Sequence, residues 1–233
     1  MDARLRFTLV LSALHTLTFL AVWAGMAVLF RRGLGRDFQV AGGKAPAPEL
    51  GRSALREVLL GHALFPVLCH AAVYPAWIAA GGRVNAPWPA WYAAMGQLLA
   101  FILIEDTIFY WAHRALHTRA LFRRVHAKHH RFRYVRAPAA EYAHPLENAI
   151  NFVALFAGPI AFASAPPLIA VWMVLRMCET LEAHSGYAFT SSSSRHAFHH
   201  LYAQRGCYGS FMSPWDRLMG TDRAWRAWRA QQP

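Results

Sequence analysis

Four stretches of the chain are long, apolar and nearly free of charge, and they alternate with segments dense in Arg and His. Phe7 to Phe30 carries no charged side chain over 24 residues, enough at about 1.5 Å per residue to cross a hydrocarbon core of about 30 Å. Its length, with no small-residue cleavage site after it, predicts a membrane helix and not a cleaved signal peptide. Arg31, Arg32 and Arg36 close it, and a polar loop with Gly and Pro follows over 37–53. A second apolar run covers 58–80, interrupted by Pro66 and Pro75, which a packed membrane helix tolerates. After a turn at Gly81-Gly82-Arg83 and Asn85-Ala86-Pro87, a third runs over 88–112. It opens on Trp88, Trp91 and Tyr92, an interfacial aromatic belt, and carries Glu105 and Asp106 near its far end.

The fourth stretch, 146–183, has 38 residues and would reach about 57 Å as one helix, too long for a single crossing. Gly158-Pro159 and Pro166-Pro167 break it, so a hairpin of two legs is expected, returning His184 to the side of His144. The pattern therefore predicts an all-α integral membrane protein with about four transmembrane helices, the last pair a proline-broken hairpin, under a helical cap. One domain is expected over 1–233: membrane helices in 1–90, a His-rich catalytic region in 91–222 and a C-terminal tail in 223–233.

Composition agrees with a membrane class. The chain is 56 % hydrophobic and only 15 % charged. Its net charge of +12 brings no basic, aromatic-interleaved module, so basic loops against anionic lipid are expected and no nucleic acid. With the His-rich segments in the cytosol, 20 of the 24 Lys and Arg fall in cytosolic loops, as the positive-inside rule requires. The site is thus expected on the cytosolic face of a multi-pass protein, in the endoplasmic reticulum if eukaryotic or the cytoplasmic membrane if bacterial. Cys69, Cys178 and Cys207 have neither metal-type nor disulfide-framework spacing and read as unpaired thiols.

Ten of the thirteen histidines lie between 113 and 200: His113, His117, His126, His129, His130, His144, His184, His196, His199 and His200. His113 and His117 are four apart and share a helix face as the third span ends. His126-x2-His129-His130 and His196-x2-His199-His200 repeat one i, i+3, i+4 pattern, expected to turn all three rings to one side. Neutral imidazole suits zinc, copper, iron and nickel, so ligand type does not name the metal. Number helps more: a mononuclear zinc site takes three or four protein ligands, whereas ten imidazoles furnish two metals. A storage tract would be a low-complexity run, and a transporter would place ligands near the bilayer midplane and not at one face. His15, His62 and His70 lie in the first two spans, either hydrogen-bonded to a neighbouring helix or lining a lipid channel.

The three His motifs resemble those of the fatty acid hydroxylase superfamily. Glu105-Asp106-Thr-Ile-Phe-Tyr-Trp-Ala-His-Arg, Glu141-Tyr-Ala-His-Pro-Leu-Glu147, Glu179-Thr-Leu-Glu182-Ala-His184-Ser-Gly-Tyr187 and Trp215-Asp216-Arg-Leu-Met-Gly-Thr221 are similar to its sterol C-4 methyl oxidase branch. The resemblance covers about residues 95–222. Two positions depart from it: Ala197, where an acidic residue is usual, and Cys207, where Gly-Asn-Tyr-Gly is common. The departures leave the ten histidines intact and bear on substrate and turnover.

The resemblance implies a non-haem di-iron oxygenase: two iron ions held by the ten histidines, O2 as co-substrate, and oxidation of a lipid C–H bond, foremost a sterol methyl group. A fatty-acid or sphingolipid hydroxylase, a sterol desaturase and a carotenoid hydroxylase share the machinery. A catalytically silent relative and a non-catalytic metal-binding membrane protein are the alternatives outside it. Asp106, Glu141, Glu182 and Asp216 are expected to accept the distal imidazole N–H groups and fix the rings. No Gly-rich dinucleotide fingerprint is present. Electrons from NAD(P)H are therefore expected through a separate cytochrome b5-type or ferredoxin-type carrier and its reductase, steered by the basic cytosolic surface.

Overall fold

The computed structural model describes residues 2–231, and the described residues are helical with no β-strand beyond one isolated bridge between Gln39 and Tyr187. The first apolar run forms α1, Ala3–Arg32, started by the Asp2 carboxylate, which accepts the Leu5 N–H, and stopped by Gly33 at φ 63°. The second run is not one rod. It forms α2, Pro48–His62, and α3, Phe65–Ala79, bent by 41° across Ala63 and Leu64. Pro66 in the first turn of α3 explains the break, since a proline has no N–H for the carbonyl four residues back, that of His62, and its ring crowds that carbonyl. The third run forms α4, Trp91–Leu116, which carries His113 inside the helix and ends at His117.

The short α5, Arg119–Arg124, leads into a 3₁₀ turn, His126–Arg131, and a second, Ala137–Ala140. The fourth run is a helical hairpin, α6, Pro145–Ala161, and α7, Pro166–Ala183. The turn falls at residues 162–165, where Ala163 sits at φ 46°, and Pro166 opens α7. Pro159 is carried within α6 and does not end it. Three short helices follow: α8, Ser191–Leu201, α9, Pro214–Met219, and α10, Arg223–Arg229. Residues 223–229 are thus a docked helix, with Trp225 donating to Ser194 Oγ at 3.1 Å and Trp228 packed on Phe198.

By length and composition α1 and α4 each suffice to cross a bilayer, and the bent α2–α3 pair counts as a third if it is one span. α1 packs on α3 and α7, and α4 lies along α6. Outward faces carry exposed apolar residues, among them Leu17, Leu60, Leu68 and Leu99. Water would penalise such faces and hydrocarbon would not. Trp91 and Tyr92 stand exposed at the start of α4, as an interfacial belt would.

Inside, Trp77 and Trp172 fill the bundle, and each indole N–H reaches a carbonyl, of Ser164 at 3.0 Å and Leu155 at 2.8 Å. The charges of the apolar helices pair with one another: Arg176 of α7 donates to Glu105 of α4 at 2.9 Å and to Glu179 at 2.6 Å. Unpaired, each would cost several kcal/mol of desolvation, of order 3–5 kcal/mol by deletion of a partner.

α4 and α6 approach most closely at Gly158, where an added Cβ would lie 2.6 Å from Phe101 Cδ1 and 3.1 Å from its Cα. Backbone cannot retreat as a flexible side chain can. Gly158→Ala is expected to destabilise the bundle by about 1–3 kcal/mol through overpacking, read as a lowered thermal midpoint of the protein in detergent or nanodiscs. An unchanged midpoint would show that the two helices do not meet there.

Candidate metal centre

Nine of the ten clustered histidines converge. His113, His117, His126, His130 and His199 form one group, and His129, His184, His196 and His200 a second, each with its ligand nitrogens within 4.8 Å of one another. The groups adjoin, with the rings of His130 and His200 4.8 Å apart. All nine rings are buried or nearly so.

The partition follows helix geometry. Residues four apart on a helix are offset by about 40° one way and residues three apart by about 60° the other way. In α8, His196 and His200 accordingly join one group while His199 turns to the other. His126, His129 and His130 divide the same way from their 3₁₀ turn. The expectation that each triplet presents a single side is therefore corrected: each triplet straddles both groups and stitches them together.

The orientation of the rings is fixed from outside the groups. His113 Nδ1 donates to the Tyr208 carbonyl at 2.9 Å, His199 Nδ1 to that of Gly206 at 2.9 Å, His184 Nδ1 to that of Thr180 at 2.7 Å and His200 Nδ1 to that of Phe132 at 2.8 Å. His126 Nδ1 lies 2.9 Å from Glu147 Oε1. A carbonyl only accepts, so the Nδ1 atoms of His113, His184, His199 and His200 carry the proton and their Nε2 atoms present lone pairs.

Those lone pairs face one another. His113 Nε2 is 3.0 Å from His126 Nε2, and His196 Nε2 is 2.8 Å from that of His184 and 3.1 Å from that of His200. His184 and His200 both hold their proton on Nδ1, so neither can donate to His196 Nε2. His196 can donate to one neighbour and not to both. Such an array repels itself unless a cation lies among the nitrogens, and neutral imidazole nitrogen is the donor type that zinc, copper and iron take. The donor sets therefore fit two bound transition-metal ions.

Burial, and after it the neighbouring imidazoles, holds His117, His126 and His196 far below the ordinary histidine range. Burial alone leads for His129 and His199, each held at about 4. The neutral rings this maintains are the form that binds metal.

The tenth histidine lies outside both groups. His144 caps α6, its Nδ1 accepting the Leu146 N–H at 3.2 Å. A residue at the helix cap is turned back onto the first turn, whereas Glu147 in that turn faces inward to His126. The sequence reading left Glu147 without a role although it stands in the same motif, and its position in the first turn, two residues past a prolyl helix start, was the available signal.

Of the four carboxylates expected on the ligand imidazoles, three act at one remove and Glu141 stands apart. Asp106 accepts from the backbone N–H groups of Met212 at 2.9 Å and Ser213 at 3.1 Å. Asp216 accepts from those of Tyr208 at 2.9 Å and Gly209 at 2.7 Å. Both hold the loop 206–213, which offers its carbonyls to His113 and His199. Glu182 accepts from Thr190 Oγ1 at 2.9 Å, steadying the residue that caps α8. Glu141 lies 3.2 Å from His15 Nε2 and 3.0 Å from His62 Nε2, away from the nine. Burial works against its charge, but His15 and His62 outweigh that and hold its carboxyl at about 2. His70 bonds Ser12 Oγ at 3.0 Å and His62 bonds Thr16 Oγ1 at 3.0 Å, both on α1, which agrees with the neighbouring-helix reading.

Three cavities adjoin in sequence. One of about 30 Å³ is walled by His113, His126, His129, His184 and His196. It shares Ala140, Asn151 and Thr180 with a cavity of about 80 Å³ beside His15, Glu141 and Phe152. That cavity shares Phe65, Glu141 and Asn148 with a third, of about 150 Å³, at the α2–α3 bend. Among the departures from the family pattern, Cys207 stands buried at φ 63°, a conformation asparagine tolerates better than cysteine, and Ala197 lines a small pocket with Arg133 and Arg136.

The loop depends on Gly206 at φ 98°, where an added Cβ would run into the Thr221 carbonyl. Gly206→Ala is expected to destabilise the protein by about 3 kcal/mol, from backbone strain and displacement of that carbonyl. Thermal unfolding of the variant measures this, and a wild-type midpoint would contradict the loop geometry.

The fatty acid hydroxylase family model matches residues 98–221, the span from within α4 to just past α9. Among curated proteins, the chain is 34 % identical over 231 residues to a very-long-chain aldehyde decarbonylase of Oryza sativa subsp. indica, covering 94 % of this chain and 86 % of that one. It is 34 % identical over 227 residues to methylsterol monooxygenase 2-2 of Arabidopsis thaliana, with 91 % and 84 % covered. With methylsterol monooxygenase 1 of Danio rerio it shares 38 % over 138 residues, 55 % of this chain and 47 % of that one. No solved structure matches the chain. The family model thus falls on the segment that builds both histidine groups, and with relatives matched over most of their length this chain belongs to the fatty acid hydroxylase family.

Proposed function

We propose that the chain is a membrane-bound di-iron oxygenase that oxidises a C–H bond of a lipid, foremost a sterol methyl group. One observation carries the reading: two groups of unprotonated imidazole nitrogens meet at one end of an apolar bundle, beside cavities that lead between its helices. The relatives named methylsterol monooxygenase support the sterol, and their family supports the oxygenase.

His113, His117, His126, His130 and His199 would hold one iron ion, and His129, His184, His196 and His200 the other. The ions supply O2 activation and the redox capacity for C–H oxidation. The chain supplies the rest. Carbonyls of Gly206, Tyr208, Thr180 and Phe132, with Glu147, hold the rings with Nε2 inward. Burial keeps those rings neutral and keeps bulk water from the reacting carbon. His113, His184 and His196, which wall the innermost cavity, would face the substrate carbon.

Two electrons per turnover come from NAD(P)H through a cytochrome b5-type or ferredoxin-type carrier and its reductase. Their docking face would be the basic cytosolic side, with four transmembrane crossings beneath it. The match to aldehyde decarbonylases over 94 % of the chain favours a second reading, in which the same centre acts on a long-chain aldehyde.

Membranes containing the protein, O2 and a reductase system are expected to convert 4-methylsterols to oxygenated products. Fatty acids, ceramides and very-long-chain aldehydes serve as the comparison arms, and product from the aldehyde alone would replace the sterol reading with the second one. Purified protein should contain two iron ions per chain; one or none would overturn the di-iron assignment. His129→Ala and His199→Ala should each empty one group and abolish turnover. Glu147→Ala should weaken metal retention about 10–100-fold, followed by competition with a chelator. His144→Ala should keep its metal and cost only a helix cap, about 0.5–2 kcal/mol; loss of metal from it would make His144 a ligand.

A further inference from the structure

The cavity between α1, α3, α6 and α7 is walled by Phe65, Phe152, Leu155 and Met177, yet it also holds polar groups that the histidine centre does not use. Glu141 is charged there, and placing a carboxylate on an apolar cavity is costly unless something completes its hydrogen bonding. Two imidazoles meet its oxygens from one side, His15 on Oε1 and His62 on Oε2. Asn148, four residues along from His144 on α6, donates to the Glu141 carbonyl at 3.2 Å and lines the same cavity. His15 is 4 % exposed, and its Nδ1 is buried without a partner. Asn151 lies one helical turn further on and lines both this cavity and the one walled by the candidate ligands.

The cation on the same wall, Arg176, is already paired with Glu105 and Glu179, so the negative Glu141 facing this small cavity selects by charge. It repels the carboxylate of a fatty acid or the phosphate of an activated acyl chain, and it accepts a hydrogen bond from a neutral alcohol. An amide beside it can donate to the same alcohol oxygen, which both gives and takes. At about 80 Å³ the cavity takes the hydroxyl-bearing end of a lipid and not the whole molecule. The remainder has the 150 Å³ cavity at the α2–α3 bend to pass through, where Glu57, Gly61 and Pro66 form the wall.

We propose that Glu141, set by His15 and His62 and flanked by Asn148 and Asn151, binds the alcohol oxygen of the lipid substrate, so that the carbon oxidised lies within a few bonds of that hydroxyl. This inference rests on the lipid-oxygenase reading and sharpens its substrate class. The reactive end is the polar end. The alcohol donates to the Glu141 carboxylate and accepts from an asparagine amide, and the neighbouring carbon is carried past Asn151 and Thr180 to the face made by His113, His184 and His196. A 4-methylsterol has this arrangement, its ring hydroxyl standing on the carbon next to the one that bears the methyl group. A fatty acid oxidised far from its head does not.

The test is binding, which needs no turnover. Purified metal-loaded protein in nanodiscs is titrated with a 4-methylsterol and with the analogue lacking the hydroxyl, and metal content and thermal midpoint are recorded for each preparation. The wild type should prefer the alcohol by about tenfold or more, the worth of one hydrogen bond to a charged group. Glu141→Gln should bring the two affinities within about threefold while keeping its metal, and Asn151→Leu, which leaves the Glu141 cluster in place, should reduce the preference as well.

Equal affinities in the wild type, no binding of either compound, or a preference surviving in both variants would overturn the proposal. Should Glu141→Gln fail to fold, Asn151→Leu decides alone. If no lipid is oxidised while the preference and its loss stand, the oxygenase reading fails and the alcohol site remains.

Discussion

Nine imidazoles whose lone pairs point at one another can be assembled only if something outside the cluster holds each ring. That constraint accounts for much of the architecture around the site. Four backbone carbonyls fix the protonated side of four rings, with Glu147 set beside a fifth, and those carbonyls come from three separate places in the chain. Neutral imidazoles with inward nitrogens repel less than imidazolium ions would, and burial keeps them neutral. The repulsion that remains is what a bound cation converts into attraction, so metal binding and folding of this region are coupled.

The loop 206–213 is the clearest consequence. It contributes no imidazole, yet it presents two of the four carbonyls, and two buried carboxylates are spent on keeping it in place. Gly206, Cys207 and Ser213 all take positive φ there. A loop so bent is stable only where its amides are bound, and Asp106 and Asp216 bind them. Asp106 thus answers the usual question about a carboxylate inside an apolar helix: its partners are backbone N–H groups, and their ring-holding carbonyls are the functional return. Glu105 and Arg176 solve the same difficulty by pairing across α4 and α7.

The apolar bundle has a complementary role. The outward apolar faces of α1, α2–α3 and α4 leave it at home in hydrocarbon, while the close approach of α4 to α6 at Gly158 aligns the helix ends that carry His113, His117 and Glu147. The break between α2 and α3 does more than bend a span. It stands beside the widest of the three adjoining cavities, on the side away from the histidines. Rigid centre and open flank are separate parts of one packing arrangement.

The sequence by itself determined where helices lie, because runs of apolar residues act locally, but not which prolines break them: Pro66 stands at a break where one helix was expected, and Pro159 is carried within α6. It also determined that histidines four apart stay together, because helix rotation is a property of spacing. Asp106 drew notice as a carboxylate in an apolar run, and Asp216 and Glu182 through motifs that resemble the family's, but the partners of all three were not legible. Which partner a carboxylate meets depends on residues about 8 to more than 100 positions away, and no local pattern encodes that. His144 and Glu147 show the limit most directly: both stand in one motif, and only the direction of the first turn of α6 makes one a cap and the other a neighbour of His126. Glu141 shows it again. Its companions His15 and His62 come from α1 and α2, and the packing of those helices on the 137–141 turn turned an expected support of the metal centre into the polar wall of a cavity beside it.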